Sequence, residues 1–254
     1  MKRLIVTMSV AMSAVSVAAV VESFDYPVTG PVAGQSGGTG LSGSWSLTTI
    51  GSTEVKAGNT YTDSLGASLL VSGGSADLIT DNTTARLSRS LETPYTSGVV
   101  YGSILINHFV ETSSLDAGFA VGNVGLYWRG WSSNWVLGEG DNNFSTVPKP
   151  AEGDVDLMVF AIDIDNDTLS VWKNPDLGIE DTPDYTTSID PVTSIDSLEI
   201  WQQGADENNH PQQTVLFDEF RLGTSFAEVT PIPEPTTALL GVVGLLTCFS
   251  RRRK

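Results

Sequence analysis

Between Ser23 and Val229 apolar residues recur in short runs, alternating or continuous, and no stretch keeps the spacing of an amphipathic helix. The runs are Ser68 to Val71, Ala85 to Leu91, Val99 to Val110, Gly118 to Val121, Gly125 to Trp128, Trp135 to Leu137, Val155 to Ile164, Leu169 to Trp172, Leu198 to Trp201 and Thr214 to Leu222. Clusters of Gly, Asn, Asp and Ser separate them. Many short strands with frequent turn signals predict an all-β sandwich or barrel in one domain. In Val155 to Ile164 both parities are apolar, which predicts a central strand covered on both faces. That run enters Asp163-Ile-Asp-Asn-Asp167 and resumes at Leu169, so a hairpin is expected, turning at Asn166-Asp167 and ending its second strand before Pro175.

The two ends have a different pattern. Lys2 and Arg3 precede the apolar run Leu4 to Val21, and small residues at Ser16, Ala18 and Ala19 suit cleavage. Residues 1–21 are therefore expected to be a secretory signal peptide cut after Ala18 or Ala19, with an uncleaved anchor as the alternative. At the other end Pro231, Pro233 and Pro235 keep residues 230–237 out of helix and sheet, which predicts an extended stalk. An apolar segment follows, then Arg251, Arg252, Arg253 and Lys254. As a helix, Thr236 to Ser250 would measure about 22 Å, short against a hydrocarbon core of about 30 Å. The basic cluster would stay on the cytoplasmic side.

Charge sharpens this division. The chain carries 13 basic and 30 acidic residues, a net charge of -17. Six of the basic residues lie at the ends, which leaves seven in Ser23 to Ser250 against 29 acids, a net of -22. Such a body lacks the lysines and arginines needed to displace counterions from a phosphate backbone, so nucleic acid is excluded as a partner. The single cysteine, Cys248, lies in the tail, so disulfides, thiolate nucleophiles and cysteine-ligated zinc are excluded for the body.

Pro233-Glu234-Pro235, a short apolar segment with glycines and the cluster Arg251 to Arg253 resemble the PEP-CTERM sorting signal of Gram-negative bacteria. The resemblance covers Pro233 to Lys254. It implies export across the inner membrane, transient anchoring by residues 238–254, cleavage by an exosortase and delivery to the cell surface or an exopolysaccharide matrix. An ordinary single-pass anchor is the alternative. A second resemblance spans the body, residues 22–229. Glu22-Ser-Phe-Asp-Tyr26, Gly37-Gly-Thr-Gly40 ahead of Trp45, Val155 to Pro175 and Leu216-Phe-Asp-Glu-Phe-Arg-Leu-Gly223 resemble the concanavalin A-like and laminin G-like jelly-roll sandwich. That resemblance implies a first strand lying near the last. It implies an architecture and not an activity, because lectins, hydrolases, lyases and adhesion modules share it.

Candidate chemistry is sparse. Asp163 and Asp165, two apart, would share a strand face about 6.6 Å from each other, but aspartates at a turn cap the backbone for structural reasons. Asp218 and Glu219 are adjacent and are expected on opposite faces. His108 sits inside an apolar run and His210 in a polar loop, and neither has a Gly-x-Ser-x-Gly elbow beside it. No catalytic residue is assigned. The acidity favours a divalent cation held by oxygen, which points to calcium. The sandwich resemblance implies a structural calcium at Asp218 with main-chain carbonyls as partners. The candidate sugar-binding residues are Trp128, Arg129, Trp131 and Trp135, because tryptophan faces stack on sugar rings, while filling the sandwich core is the alternative for the three tryptophans. A non-catalytic, polysaccharide-interacting surface protein is the expected function. A glycoside hydrolase or lyase and a purely adhesive protein are the alternatives.

Overall fold

A computed structural model describes residues 20–48, 51–79, 84–108, 116–129, 132–137, 142–203 and 215–233. Strands, numbered in chain order, form two antiparallel sheets. One has eight strands: β13 (Tyr185–Ser188), β12 (Thr168–Lys173), β11 (Val155–Asp163), β6 (Val99–His108), β15 (Val215–Gly223), β4 (Gly74–Ile79) and β3 (Ser52–Ala57), with β1 (Val20–Glu22) also on β15. The other has seven: β10 (Asn142–Pro148), β9 (Asn134–Leu137), β8 (Val124–Trp128), β7 (Asp116–Val121), β14 (Ile195–Gln203), β5 (Thr84–Tyr95) and β2 (Leu41–Leu47).

The inner faces of the two sheets enclose one apolar core that includes Trp45, Phe119, Trp128, Trp135, Phe160, Phe217 and Phe220. The eight-stranded sheet is covered on its outer face as well. Leu105, Leu157, Val159 and Trp172 on that face pack against Tyr61, Leu69 and Leu177 from loops and against Phe226 and Val229 of the one-turn helix α1 (Phe226–Val229). This explains β11, whose interior positions are buried at both parities as its sequence predicts. The seven-stranded sheet follows the opposite rule: in β14 Leu198, Ile200 and Gln202 turn inward, while Glu199 and Trp201 are only half-buried. Its outer face is the open one.

Two local features differ from the sequence reading. Asp163 pairs with Thr168, so the hairpin loop is the four residues Ile164 to Asp167 and not Asn166-Asp167 alone. Asp163 decides this: its Oδ1 accepts the amides of Asp165 and Asn166 and its Oδ2 the Asn166 amide side chain, closing an Asx turn. Ser68 to Val71 is not a strand, because Leu69 is committed to the outer apolar layer. Val20 pairs with Leu222, and the Pro231 carbonyl accepts the Leu70 amide, so residues 20–21 and 230–231 pack with the sandwich.

The first strand is held by a buried ionic cluster. Glu22 Oε2 accepts bonds from Arg89 Nη1 at 2.9 Å, Trp45 Nε1 at 2.9 Å and the Tyr26 hydroxyl at 2.8 Å, and Oε1 accepts the Phe24 amide at 2.8 Å. Arg89 lies on β5 of the opposite sheet and also donates to the Gly37 carbonyl. The segments that carry the sandwich resemblance at the N-terminus thus meet on one carboxylate.

Among the described residues no helix is long and apolar enough to cross a membrane. Residues 1–19, which hold most of the expected signal peptide, and residues 234–254, which hold Glu234, Pro235, Arg251, Arg252 and Arg253, lie outside the described residues; Pro233 is the last residue within them.

Candidate binding groove

The register of four strands builds a lattice of side chains on the open sheet face. Across one row stand Arg86 (β5), Trp201 (β14), Gly118 (β7) and Tyr127 (β8). Ser88, Glu199, Ala120 and Gly125 form a neighbouring row on one side, and Thr84, Gln203 and Asp116 on the other, with Arg129 just past the end of β8. Alternation places these residues outward because their neighbours Ala85, Leu87, Ala117, Phe119, Leu126, Leu198 and Ile200 fill the core.

Gly118 makes the centre of the lattice. A Cβ there would lie 2.3 Å from the Leu126 carbonyl oxygen and 2.4 Å from the Tyr127 Cβ, so only glycine lets the tyrosine close over its strand. The Tyr127 and Trp201 rings then approach to 5.4 Å between centroids at an interplanar angle of 49°. An arginine flanks each ring: the Arg86 guanidinium is 5.2 Å from the Trp201 ring centre and that of Arg129 is 5.8 Å from the Tyr127 ring centre. Arg86 Nη1 also meets Glu199 Oε1 at 2.5 Å, and Arg129 Nη2 donates to the Tyr127 hydroxyl at 3.2 Å. The result is a groove of about 460 Å³ floored by an aromatic pair and edged by Arg86, Glu199, Asp116, Arg129 and Gln203.

Of the sequence-predicted sugar ligands, Arg129 reaches this groove. Trp128 and Trp135 do not. Both are fully buried in the inter-sheet core, at 0% exposure, with their rings 5.0 Å apart, because they sit at inward positions of β8 and β9. Neither has a face to offer a sugar, and the expectation for them is corrected to core packing. Trp131 lies outside the described residues. The groove's own tryptophan, Trp201, was missed, although the alternation Leu198-Glu-Ile-Trp-Gln-Gln203 marks it as an outward residue.

The other candidates resolve as structural. Asp163, Asp165 and Asp167 serve the hairpin loop: Asp165 Oδ2 accepts the Gly98 amide and Asp167 Oδ1 the Val192 amide. His108 is buried beside Trp128, its Nδ1 3.1 Å from the Pro150 carbonyl oxygen. His210 lies outside the described residues. Asp218 and Glu219 do not point to opposite faces as strand alternation predicts. A bulge between Asp218 and Arg221 with Glu219 at φ 50° turns both toward the covering loop, where Asp218 Oδ2 accepts the Asn59 amide at 2.6 Å and Glu219 Oε1 accepts that of Ser72.

That bulge is also where a cation is expected. Asp218 is wholly buried, its Oδ1 accepting the Glu219 amide at 2.7 Å. Burial, reinforced by the charge of Glu219, pushes its carboxyl up to about 8, against the pull of the Asn59 amide and of Arg221. Asp77 and Asn107 lie on the two strands flanking Leu216, and the Oδ1 atom of each is buried without a hydrogen-bond partner. Buried oxygen atoms of this type suit calcium in kind. Among the described residues no three His, Cys, Asp or Glu side chains converge, so main-chain carbonyls would have to complete a coordination shell.

No protein-family model and no curated protein matches the chain. Among solved structures, a glycosyl hydrolase family protein from Mycobacterium fortuitum is similar at 13% identity and a TM-score of 0.49, over 81% of this chain and 99% of that one. The lectin UEA-II, complexed with galactose, is similar at 11% identity and a TM-score of 0.43, over 81% of this chain and 99% of that one. A sialidase is similar at 11% identity and a TM-score of 0.43 over 66% of this chain, which spans 17% of that protein's length.

Proposed function

We propose that the chain is an exported, non-catalytic surface or matrix protein with a concanavalin A-like body that holds polysaccharide in the groove on its open sheet face. The observation that carries this reading is the Tyr127–Trp201 pair across Gly118, an aromatic floor of two rings tilted 49° to each other between hydrogen-bonding edges. Sugar rings present an apolar C–H face and a polar rim, and this arrangement matches both. Arg86 sits beside Glu199, and Arg129 lines the same groove as Asp116, so the edges offer both donors and acceptors to sugar hydroxyls.

The same lattice favours binding over hydrolysis. Glycosidic cleavage uses two carboxyl groups about 5 to 10 Å apart. The groove's acids stand on adjacent strands four positions out of register, Glu199 opposite Ala120 and Asp116 opposite Gln203, which separates their backbones by about 14 Å. Glu199 is further tied to Arg86. Affinity electrophoresis of the body through hydroxyethyl cellulose, laminarin and alginate tests the reading. At least one of them should retard the protein, and Trp201→Ala should abolish the retardation. Equal mobility of both proteins in every gel would refute it.

Two further assignments belong to this reading. The tail is a PEP-CTERM sorting signal in which Pro233-Glu234-Pro235 and Arg251 to Arg253 serve an exosortase. The leader is cut after Ala18 or Ala19, a position supported by the pairing of Val20 with Leu222 in β1, which a cut after residue 21 would destroy. Calcium at Asp218 is the second, supported by the buried carboxyl of Asp218 and the unpartnered Oδ1 atoms of Asp77 and Asn107 on the neighbouring strands.

A further inference from the structure

The body holds four arginines, Arg86, Arg89, Arg129 and Arg221. Two are committed to the fold: Arg89 with Glu22 and Arg221 with Glu219 form buried ion pairs in which no side chain is more than 5% exposed. The other two both line the groove. Lys56 and Lys173 meet carboxylates elsewhere, Lys56 at Glu54 and Asp77 and Lys173 at Asp156. A body near -22 thus gathers its two outward arginines in one place, where Glu199 and Asp116 balance them and the lining carries no net charge. The Arg86–Glu199 pair is open to water, its side chains 41% and 28% exposed. Such a screened pair contributes little, so another carboxylate can take the place of Glu199 with small loss.

We propose that the polysaccharide held in the groove is a polyuronate, a chain whose sugar rings carry carboxylates, and that Arg86 and Arg129 each take one of them. The proposal rests on reading the groove as a sugar site. A guanidinium meets a carboxylate with two parallel N–H bonds, a match that a neutral hydroxyl cannot make. Each guanidinium is already held against a ring, Arg86 on Trp201 and Arg129 on Tyr127, so less freedom is lost when it binds. The backbones of the two arginines stand three strand spacings and one row apart, about 16 Å, which calls for an oligomer and not a single sugar. Acids beyond the groove repel such a chain only weakly, because salt screens charges over about 8 Å at physiological ionic strength. A carboxylate in contact with an arginine lies well inside that distance.

Titration calorimetry of the full chain in nonionic detergent tests this with alginate and polygalacturonate, with their methyl esters, which keep the backbone and lose the charge, and with laminarin and hydroxyethyl cellulose. At least one polyuronate should bind at least tenfold tighter than its ester and than either neutral polymer. Arg86→Gln and Arg129→Gln should each weaken that binding at least fivefold. Glu199→Gln, which removes the competing carboxylate, should strengthen it at least twofold, a gain that a damaged fold cannot produce; a loss in that variant overturns the proposal. Binding of laminarin or hydroxyethyl cellulose that Trp201→Ala abolishes, with no polyuronate bound more tightly, keeps the sugar site and overturns the polyuronate. Dextran sulfate bound as tightly as the polyuronate also overturns it, because charge alone would then suffice. No binding of any polymer removes the sugar site and the proposal together.

Discussion

Asp218 makes a strong prediction because the fold buries its carboxyl completely. The folded pKa is about 8, against about 3.9 for an unfolded aspartate. A raised folded pKa means that the native state binds the proton more tightly, so the stability contribution is fully present below pH 4 and is lost as pH rises through 8. At 1.36 kcal/mol per unit the loss across this window is about 5 kcal/mol. Asp77, pushed up to about 6 by burial, and Glu219, also raised by burial, act with the same sign. Urea unfolding of the body in chelator, followed by tryptophan fluorescence from pH 5 to 8.5, should show stability falling with pH. Asp218→Asn, a neutral side chain of the same shape, should flatten most of that slope, at the cost of one of the two main-chain amide bonds that the carboxyl accepts. Added calcium should raise the parent at pH 8.5 and leave Asp218→Asn unmoved, because a ligand that binds only the native state stabilises it. A flat pH profile of the parent, or an Asp218→Asn profile as steep as the parent's, would refute the argument from burial.

Removing Arg89 leaves Glu22 charged and buried, so Arg89→Ala should cost about 3 to 5 kcal/mol in urea unfolding; a loss under 1 kcal/mol would mean that the cluster does not hold β1. Gly118→Ala should destabilise by about 1 to 3 kcal/mol and weaken glycan retention together, since its Cβ drives Tyr127 off the strand. Mass spectrometry of protein recovered from the cell surface should find Ala19 or Val20 at the N-terminus and no Ala238 to Lys254; an intact tail would contradict sorting.

The parts of the fold that could be read in the sequence are those where apolar content is dense. β11, β12 and β15 are rich in Val, Leu, Ile, Phe and Trp, and the burial of those residues follows. β2, β3 and β13 are rich in Ser, Thr and Gly, and β4 buries Gly74, Ser75 and Asp77 beside its apolar residues, so no period betrays them. The site was harder still. Three tryptophans clustered in sequence suggested a surface, yet β8 and β9 turn Trp128 and Trp135 inward, and the aromatic floor comes from Trp201 on a strand 70 residues farther along. Only pairing β14 with β7, and β7 with β8, brings Trp201 to Tyr127, and neither register is written in local pattern. At Asp218 and Glu219 the bulge, which no periodicity announces, overrode the alternation rule.

The groove on the open sheet face is the centre of the account, and titration calorimetry with whichever polysaccharide retards the body tests it most directly. Trp201→Ala should weaken binding at least tenfold, about 1.4 kcal/mol, while Trp172→Phe, altered on the covered face, should bind as the parent does. Unchanged affinity of Trp201→Ala, or an equal loss in both variants, would contradict it.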